Sequence, residues 1–146
     1  MMEMTINQKQ DELIAEFEFL TDWMDKYEYI IQEARELPVI DPAYKQDQYL
    51  IRGCQSRVWL HAELKDGRLY FTADSDAIIS KGLVSLIVRV LSGFPPEEIR
   101  QAELYFIDRI GLREHLSPTR SNGLLAMVRQ MKMYAVALGD VKNIQS

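Results

Sequence analysis

The sequence predicts an α+β domain, a small three-stranded antiparallel sheet flanked by helices. Three observations lead there. Apolar residues recur at helical spacing through the first third of the chain and again after position 118. From Val58 to Leu64 the period drops to two, and Asp66-Gly67 follows as a hairpin turn signal, since both central positions of a type I′ turn need positive φ. The run from Asp76 to Leu91 is apolar on more than one side, as expected of a helix buried between layers.

The elements follow in order. Asn7 is placed to cap the first helix, with Gln10 reaching back to complete a capping box, and Leu13, Ile14, Phe17 and Leu20 fall on one face. A second helix begins at Thr21 or Asp22 and runs to about Glu36, with Trp23, Tyr27, Ile30, Ile31 and Ala34 as its stripe. Pro38 and Pro42 end the helical region. Val58, Leu60, Ala62 and Leu64 then share one strand face, with Trp59, His61 and Glu63 on the other, where His61 is expected to face solvent and Trp59 to pack near the cysteine loop. Arg68 to Asp74 is the return strand, and Gln48 to Arg52 is expected as a third strand that steadies the hairpin. That places Gly53, Cys54 and Gln55 in a connection between strands.

In the buried helix from Asp76 to Leu91, Gly82 costs about 1 kcal/mol relative to alanine and suggests a close approach. Gly93, Pro95 and Pro96 break the chain. Short helices are expected over Pro96–Gln101 and Glu103–Ile110, the second ended by Gly111. Ser117-Pro118 reads as an N-cap with proline in the first helical position. The final helix carries Leu124, Leu125, Val128, Met131 and Ala135 inward and is expected to end near Gly139. No internal repeat interrupts this order, and residues 1–146 read as one domain.

Composition narrows the function. A chain of 146 residues with 47% apolar and 27% charged side chains reads as a soluble globular protein with a sizeable core. A formal charge of −5 argues against nucleic acid as a partner, because phosphate binding needs a basic face. Met1 to Thr5 lack a secretory h-region, and the longest apolar stretch, Leu83 to Leu91, is interrupted by Ser85 and Arg89 and is too short to span a bilayer. One cysteine cannot form an intramolecular disulfide. The expected location is the cytoplasm.

Candidate chemistry converges on Cys54. His61 and His115 lie in different elements without metal-ligand spacing, and no glycine sits in a phosphate-binding pattern, so neither a metal nor a bound cofactor is expected. Cys54 is flanked by Arg52, Gly53, Gln55, Ser56 and Arg57 instead of a periodic apolar face. A free thiol that merely packs accounts equally well for these residues alone. An ordinary thiol is only about 3% ionised at pH 7, so a nucleophilic role calls for Arg52, Arg57 or local amides to favour the thiolate. The absence of a second thiol suits a persulfide carrier, because a neighbouring thiol would discharge the sulfur as a disulfide forms. It leaves a one-cysteine peroxidase open.

Three segments carry a family resemblance. Gly53-Cys54-Gln55-Ser56-Arg57-Val58-Trp59 resembles the Gly-Cys-Gln-Ser-x-Val-Trp signature of the SufE family of cysteine desulfuration proteins. Asp74-Ser75-Asp76-Ala77 with Lys81-Gly82-Leu83, and His115 through Leu124, are similar to two further family segments in the same order. Ala73 departs from the glycine expected before Asp74. The resemblance implies a fold like that of IscU-type scaffold proteins and a role as sulfur acceptor. Cys54 would take persulfide sulfur from a pyridoxal-phosphate (PLP) cysteine desulfurase of the SufS kind, stimulate it, and pass sulfur to an iron–sulfur assembly scaffold such as a SufBCD-type complex. PLP belongs to the partner, and this chain is not itself a PLP enzyme. Gln55, Asp74, Ser75, Asp76 and Arg120 are the implied partner-binding residues, although Asp74 to Asp76 also suit a strand exit and helix cap. A homodimer is compatible with the same resemblance. Two rival classes remain: a scaffold that assembles a cluster on itself, which one cysteine serves poorly, and an interaction module with an incidental thiol.

Overall fold

The computed structural model describes residues 4–145, with side chains described through Gly139. Its elements are α1 (Ile6–Glu18), α2 (Trp23–Glu36), β1 (Val58–Lys65), β2 (Arg68–Ser75), α3 (Ile78–Leu91), α4 (Pro96–Gln101), α5 (Phe106–Arg109), α6 (Leu112–His115) and α7 (Pro118–Gln145). The α+β class holds. The sheet itself has two antiparallel strands.

Helix α1 starts two residues earlier than its composition suggested. Thr5 caps the Gln8 amide while the Gln8 side chain accepts from the Thr5 amide, which completes a capping box. Gln10, expected in that role, is fully buried instead. Its side chain donates to the Glu103 carbonyl at 3.0 Å and accepts from the Phe106 amide at 3.1 Å, tying α1 to the segment before α5. Asp22 caps α2 as expected.

The hairpin turn forms at Asp66 and Gly67, with φ of 52° and 78°. Val58 pairs with Ser75 at one end and Lys65 with Arg68 at the other. The expected third strand over Gln48 to Arg52 reduces to one bridge, Leu50 to Trp59. The reason is local. Asp47–Tyr49 forms a 3-10 turn, so the Tyr49 and Leu50 amides donate to the Gln46 and Asp47 carbonyls and are lost to a ladder. Tyr49 and Tyr44 then pack edge-on and face-on against His61, the Tyr44 ring at 3.6 Å. His61, expected to face solvent, is thereby covered, and Trp59 is buried. A second bridge, Leu69 to Phe94, forms on the outer edge of β2.

Helix α3 begins at Ile78, two residues later than expected, and runs through the middle of the core. Both residues that interrupt its apolar run have structural work. The Ser85 hydroxyl donates to the Glu33 carbonyl at 3.1 Å. Arg89 pairs with Glu12, Glu16 and Glu33 at 3.1, 2.8 and 3.0 Å, joining α1, α2 and α3. Partial burial disfavours the Glu16 carboxylate, but the bonds from Arg89 and Tyr29 outweigh it and keep its pKa below the usual range.

The expected helix over Glu103–Ile110 contracts to α5, and α6 follows unannounced, with Gly111 between them at φ 80°. Ser117 caps α7, donating no proton but accepting from the Arg120 amide. Gly139 does not end α7, which continues to Gln145. Its glycine lies against α4, where a Cβ would sit 3.3 Å from Pro96 Cβ. Leu124, Met131 and Ala135 are buried as expected, whereas Leu125 and Val128 are half-buried and Gly123, Ala126 and Met127 are buried with the first three. Among the described residues no helix is long and apolar enough to cross a membrane.

The tightest helix contact lies at Gly82. A Cβ there would come within 2.2 Å of the Ile30 carbonyl oxygen of α2. Replacing Gly82 by alanine is expected to destabilise the fold by about 2–3 kcal/mol despite alanine's better helix propensity. Urea denaturation of the variant beside the parent checks this, and equal midpoints would contradict the close approach.

Candidate functional site

Cys54 sits in a closed loop. The Ile51 amide donates to the Val58 carbonyl at 2.8 Å, which cinches residues 52–57 at their base. Gly53 has φ 95°, a backbone state that side-chain-bearing residues avoid, and a Cβ there would lie 3.2 Å from Ala126 Cβ on α7. Glycine therefore lets the loop both turn and touch α7. The next residue's sulfur reaches the same helix: Cys54 Sγ donates to the Gly123 carbonyl at 3.5 Å. Gly123 bears no side chain, and a Cβ there would meet Sγ at 3.6 Å.

The far end of the loop is held by the last residue of β2 and the one after it. The Asp76 carboxylate accepts from the Arg57 amide at 3.0 Å, and the Ser75 hydroxyl donates to the Arg57 carbonyl at 2.7 Å. Ser75 Oγ also accepts from the Ala77 amide. Asp76 thus serves the cysteine loop and does not cap α3, whose N-cap residue is Ala77. Asp74 points to two ammonium groups, Lys45 at 3.1 Å and Lys81 at 3.3 Å. Burial works against its carboxylate, yet the Ser75 amide and both lysines outweigh that and hold its pKa below the usual range. Lys45 also lies over the Trp59 ring, 4.9 Å from its centroid. Ala73, the departure from the family pattern, lies within β2 opposite Leu60, so no turn depends on it.

A cavity of about 90 Å³ opens beside the sulfur, lined by Cys54, Gln55, Ser56, Ser80, Leu83, Thr119, Arg120, Gly123 and Met127. Gln55 and Arg120 are exposed. Arg120 forms no ion pair among the described residues. The larger hollows elsewhere, one between α1 and α4 and one around Arg89, hold no cysteine. His61 is stacked on Tyr44, and His115 is stacked on Trp23 at 3.9 Å with Nδ1 beside the Gly111 carbonyl, so neither lines the cavity. Among the described residues no group of three or more His, Cys, Asp or Glu is placed to hold a metal ion.

The electrostatics reverse one expectation. Burial pushes the Cys54 thiol up from its ordinary pKa, and neither Arg52 nor Arg57 offsets this. Both arginines are exposed, and their side chains do not enter the cavity lining. The resting sulfur is therefore a protonated, half-buried thiol.

A family model, "SufE: Fe-S metabolism associated domain", matches residues 11–135. The chain belongs to the SufE family. An uncharacterized SufE-like protein of Rhizobium meliloti (strain 1021) is 38% identical over 130 residues, covering 86% of this chain and 93% of the relative. Another from Rhizobium etli is 37% identical over 127 residues, covering 84% and 86%. The solution structure of a hypothetical protein from Thermus thermophilus superimposes with a TM-score of 0.73 at 21% identity, over 88% of this chain and 94% of that one. It shares the fold. The SufE-family match places this chain in iron–sulfur metabolism and is consistent with sulfur acceptance.

Several residues lining the cavity escaped sequence reasoning as site residues. Thr119, Gly123 and Met127 recur at i, i+4 and i+8 on α7, and Ser80 and Leu83 at i and i+3 on α3. The spacing marks each set as one helix face, but only the packing shows that both faces meet at Cys54.

Two outcomes follow. Alkylation of Cys54 in the folded protein should rise with pH through an inflection above the ordinary thiol value near 8.5, because the neutral form is favoured by burial; denaturation should lower it. Stopped-flow thiol labelling across pH reads this, and a folded inflection below that of the unfolded chain would refute it. Asp76→Ala removes the acceptor for the Arg57 amide, so labelling of Cys54 at fixed pH should speed up and stability fall by about 1–2 kcal/mol; an unchanged labelling rate would show that Asp76 does not restrain the loop.

Proposed function

We propose that this protein takes sulfur from a PLP-dependent cysteine desulfurase of the SufS kind onto Cys54, stimulates that enzyme, and delivers the sulfur for iron–sulfur cluster assembly. The observation that carries the reading is the combination at Cys54: one thiol, in a loop cinched at both ends, beside a cavity that can take an added atom. Family membership supports the same direction.

In the transfer, the Cys54 thiolate attacks the terminal sulfur of the donor persulfide. A sulfur–sulfur bond forms at Cys54 Sγ, the donor's own sulfur–sulfur bond breaks, and the donor cysteine leaves as a thiolate. The resting thiol must first lose its proton. Because burial alone raises its pKa, the change that activates it is removal from its pocket, breaking the weak Gly123 contact as the partner docks. Gln55 and Arg120, exposed at the cavity mouth, are the residues best placed to meet the desulfurase. Asp74, Ser75 and Asp76 contribute through the loop and lysine contacts described above, and in doing so set the surface a partner meets. PLP remains on the desulfurase, and a SufBCD-type complex is the proposed final acceptor.

The decisive experiment mixes the protein with a desulfurase and L-cysteine and weighs the intact chain. One added sulfur, removed by reductant and absent from Cys54→Ser, is the expected result. Normal stimulation of the desulfurase by Cys54→Ser would sink the proposal.

A further inference from the structure

The cavity beside Cys54 contains a polar group that the fold itself does not use. Ser80, in the first turn of α3, is only 9% exposed and lines the cavity. Among the described residues its hydroxyl has no hydrogen-bond partner. A serine this deeply buried commonly bonds a carbonyl in its own helix; Ser80 makes no such bond, and its oxygen, unlike Thr72 Oγ1, is not sealed from solvent. The Ser85 hydroxyl of the same helix finds a partner on α2, donating to the Glu33 carbonyl.

The end of α3 adds a second source of donors. Its first intrahelical bond runs from the Lys81 amide to the Ala77 carbonyl at 2.9 Å, and no side chain caps the amides before it. A 14-residue helix with free first-turn amides carries partial positive charge at this end. The rest of the lining joins Leu83, Gly123 and Met127 to four polar residues, Gln55, Ser56, Thr119 and Arg120, all of them more exposed than Ser80.

We propose that Ser80 donates a hydrogen bond to the terminal sulfur of the Cys54 persulfide, so that the cavity is a seat for the loaded group. This rests on the sulfur-acceptor reading above. The chemistry of loading requires such a donor. In the resting protein the Cys54 thiol proton points to the Gly123 carbonyl. Loading replaces that proton with sulfur, so Sγ and the carbonyl oxygen then face each other as two acceptors and the resting contact is lost. The negative charge now lies on the terminal sulfur, one bond further out. A half-buried anion needs donors, and Ser80 is the deeply buried hydroxyl on the wall, at the helix end whose field favours negative charge. Arg120 is exposed at the mouth and guards the way out without sealing it.

The test loads the full-length protein with inorganic polysulfide, independently of any desulfurase. The Cys54 thiolate attacks the chain, a persulfide anion forms at Cys54, and the polysulfide leaves one sulfur shorter; intact mass confirms one added sulfur. Near-UV absorption of the persulfide anion is then titrated in the parent, Ser80→Ala and Ser80→Thr. Loss of the hydroxyl should raise the pH of half-ionisation by about one unit, a tenfold weaker acid. Cyanide should also strip the sulfur as thiocyanate several-fold faster from Ser80→Ala, leaving the Cys54 thiolate. Ser80→Thr keeps the hydroxyl and should restore both readouts. The free-thiol labelling profile and thermal midpoint of Ser80→Ala should match the parent, because the resting structure has no Ser80–Cys54 bond; a serine that only packs would move these and not the loaded titration. An unchanged titration in Ser80→Ala overturns the proposal, as does a parent protein that polysulfide cannot load. If polysulfide loads the parent and Ser80→Ala shifts the titration while a desulfurase fails to load it, the sulfur-acceptor reading falls and the seat stands.

Discussion

The site depends on how closely the cysteine loop approaches α7. Three small residues make that approach: Gly53 on the loop, and Gly123 and Ala126 on the helix. Gly53 turns the chain at a positive φ that other residues resist, and its missing side chain leaves room for Ala126. Gly123 presents a bare carbonyl and a gap in the helix surface to the sulfur. A larger residue at any of these points would push the loop off the helix, and the cavity between loop, α3 and α7 would change with it.

Holding the loop there has opposed consequences for reactivity. A half-buried thiol on a weak carbonyl contact is protected but poorly ionised. The surrounding framework is stiff. Asp76 and Ser75 grip Arg57 on one side, Ile51 and Val58 close the base, and Asp74 is fixed between Lys45 and Lys81. The loop and its sulfur are thus tethered by contacts of unequal strength. The loop ends are held by full hydrogen bonds, whereas the sulfur itself is held by one long S–H contact. Motion at the tip with little change at the base is what this gradient permits.

Much of the fold was legible because it rests on period and local chemistry. The hairpin, α2, α4 and the start of α7 follow from alternation, Asp66-Gly67, Asp22, Pro96 and Ser117-Pro118. The misplacements have a common cause. Gln48 to Arg52 has strand-like composition, but Tyr44 and Tyr49 gain more by packing on His61, and the 3-10 turn that places them consumes the ladder donors. Gln10 looked like a capping residue and was instead recruited by a distant segment, 93 positions away at Glu103. Gly139 resembled a helix stop, yet it serves the contact with Pro96. In each case a long-range partner outbid a local preference.

The chain's own order of residues singled out a candidate atom for the chemistry. With a single cysteine in a glycine-bearing loop, and no cluster of other nucleophiles or ligands, Cys54 was the candidate sulfur the sequence offered. Its ionisation state was not. Neighbours in sequence suggested stabilising arginines, but Arg52 and Arg57 turn outward, and segments near positions 80 and 123 supply the real surroundings. Desolvation and hydrogen bonding act through space over a few ångströms, so only the packing of α3 and α7 around the loop decides how that sulfur is held.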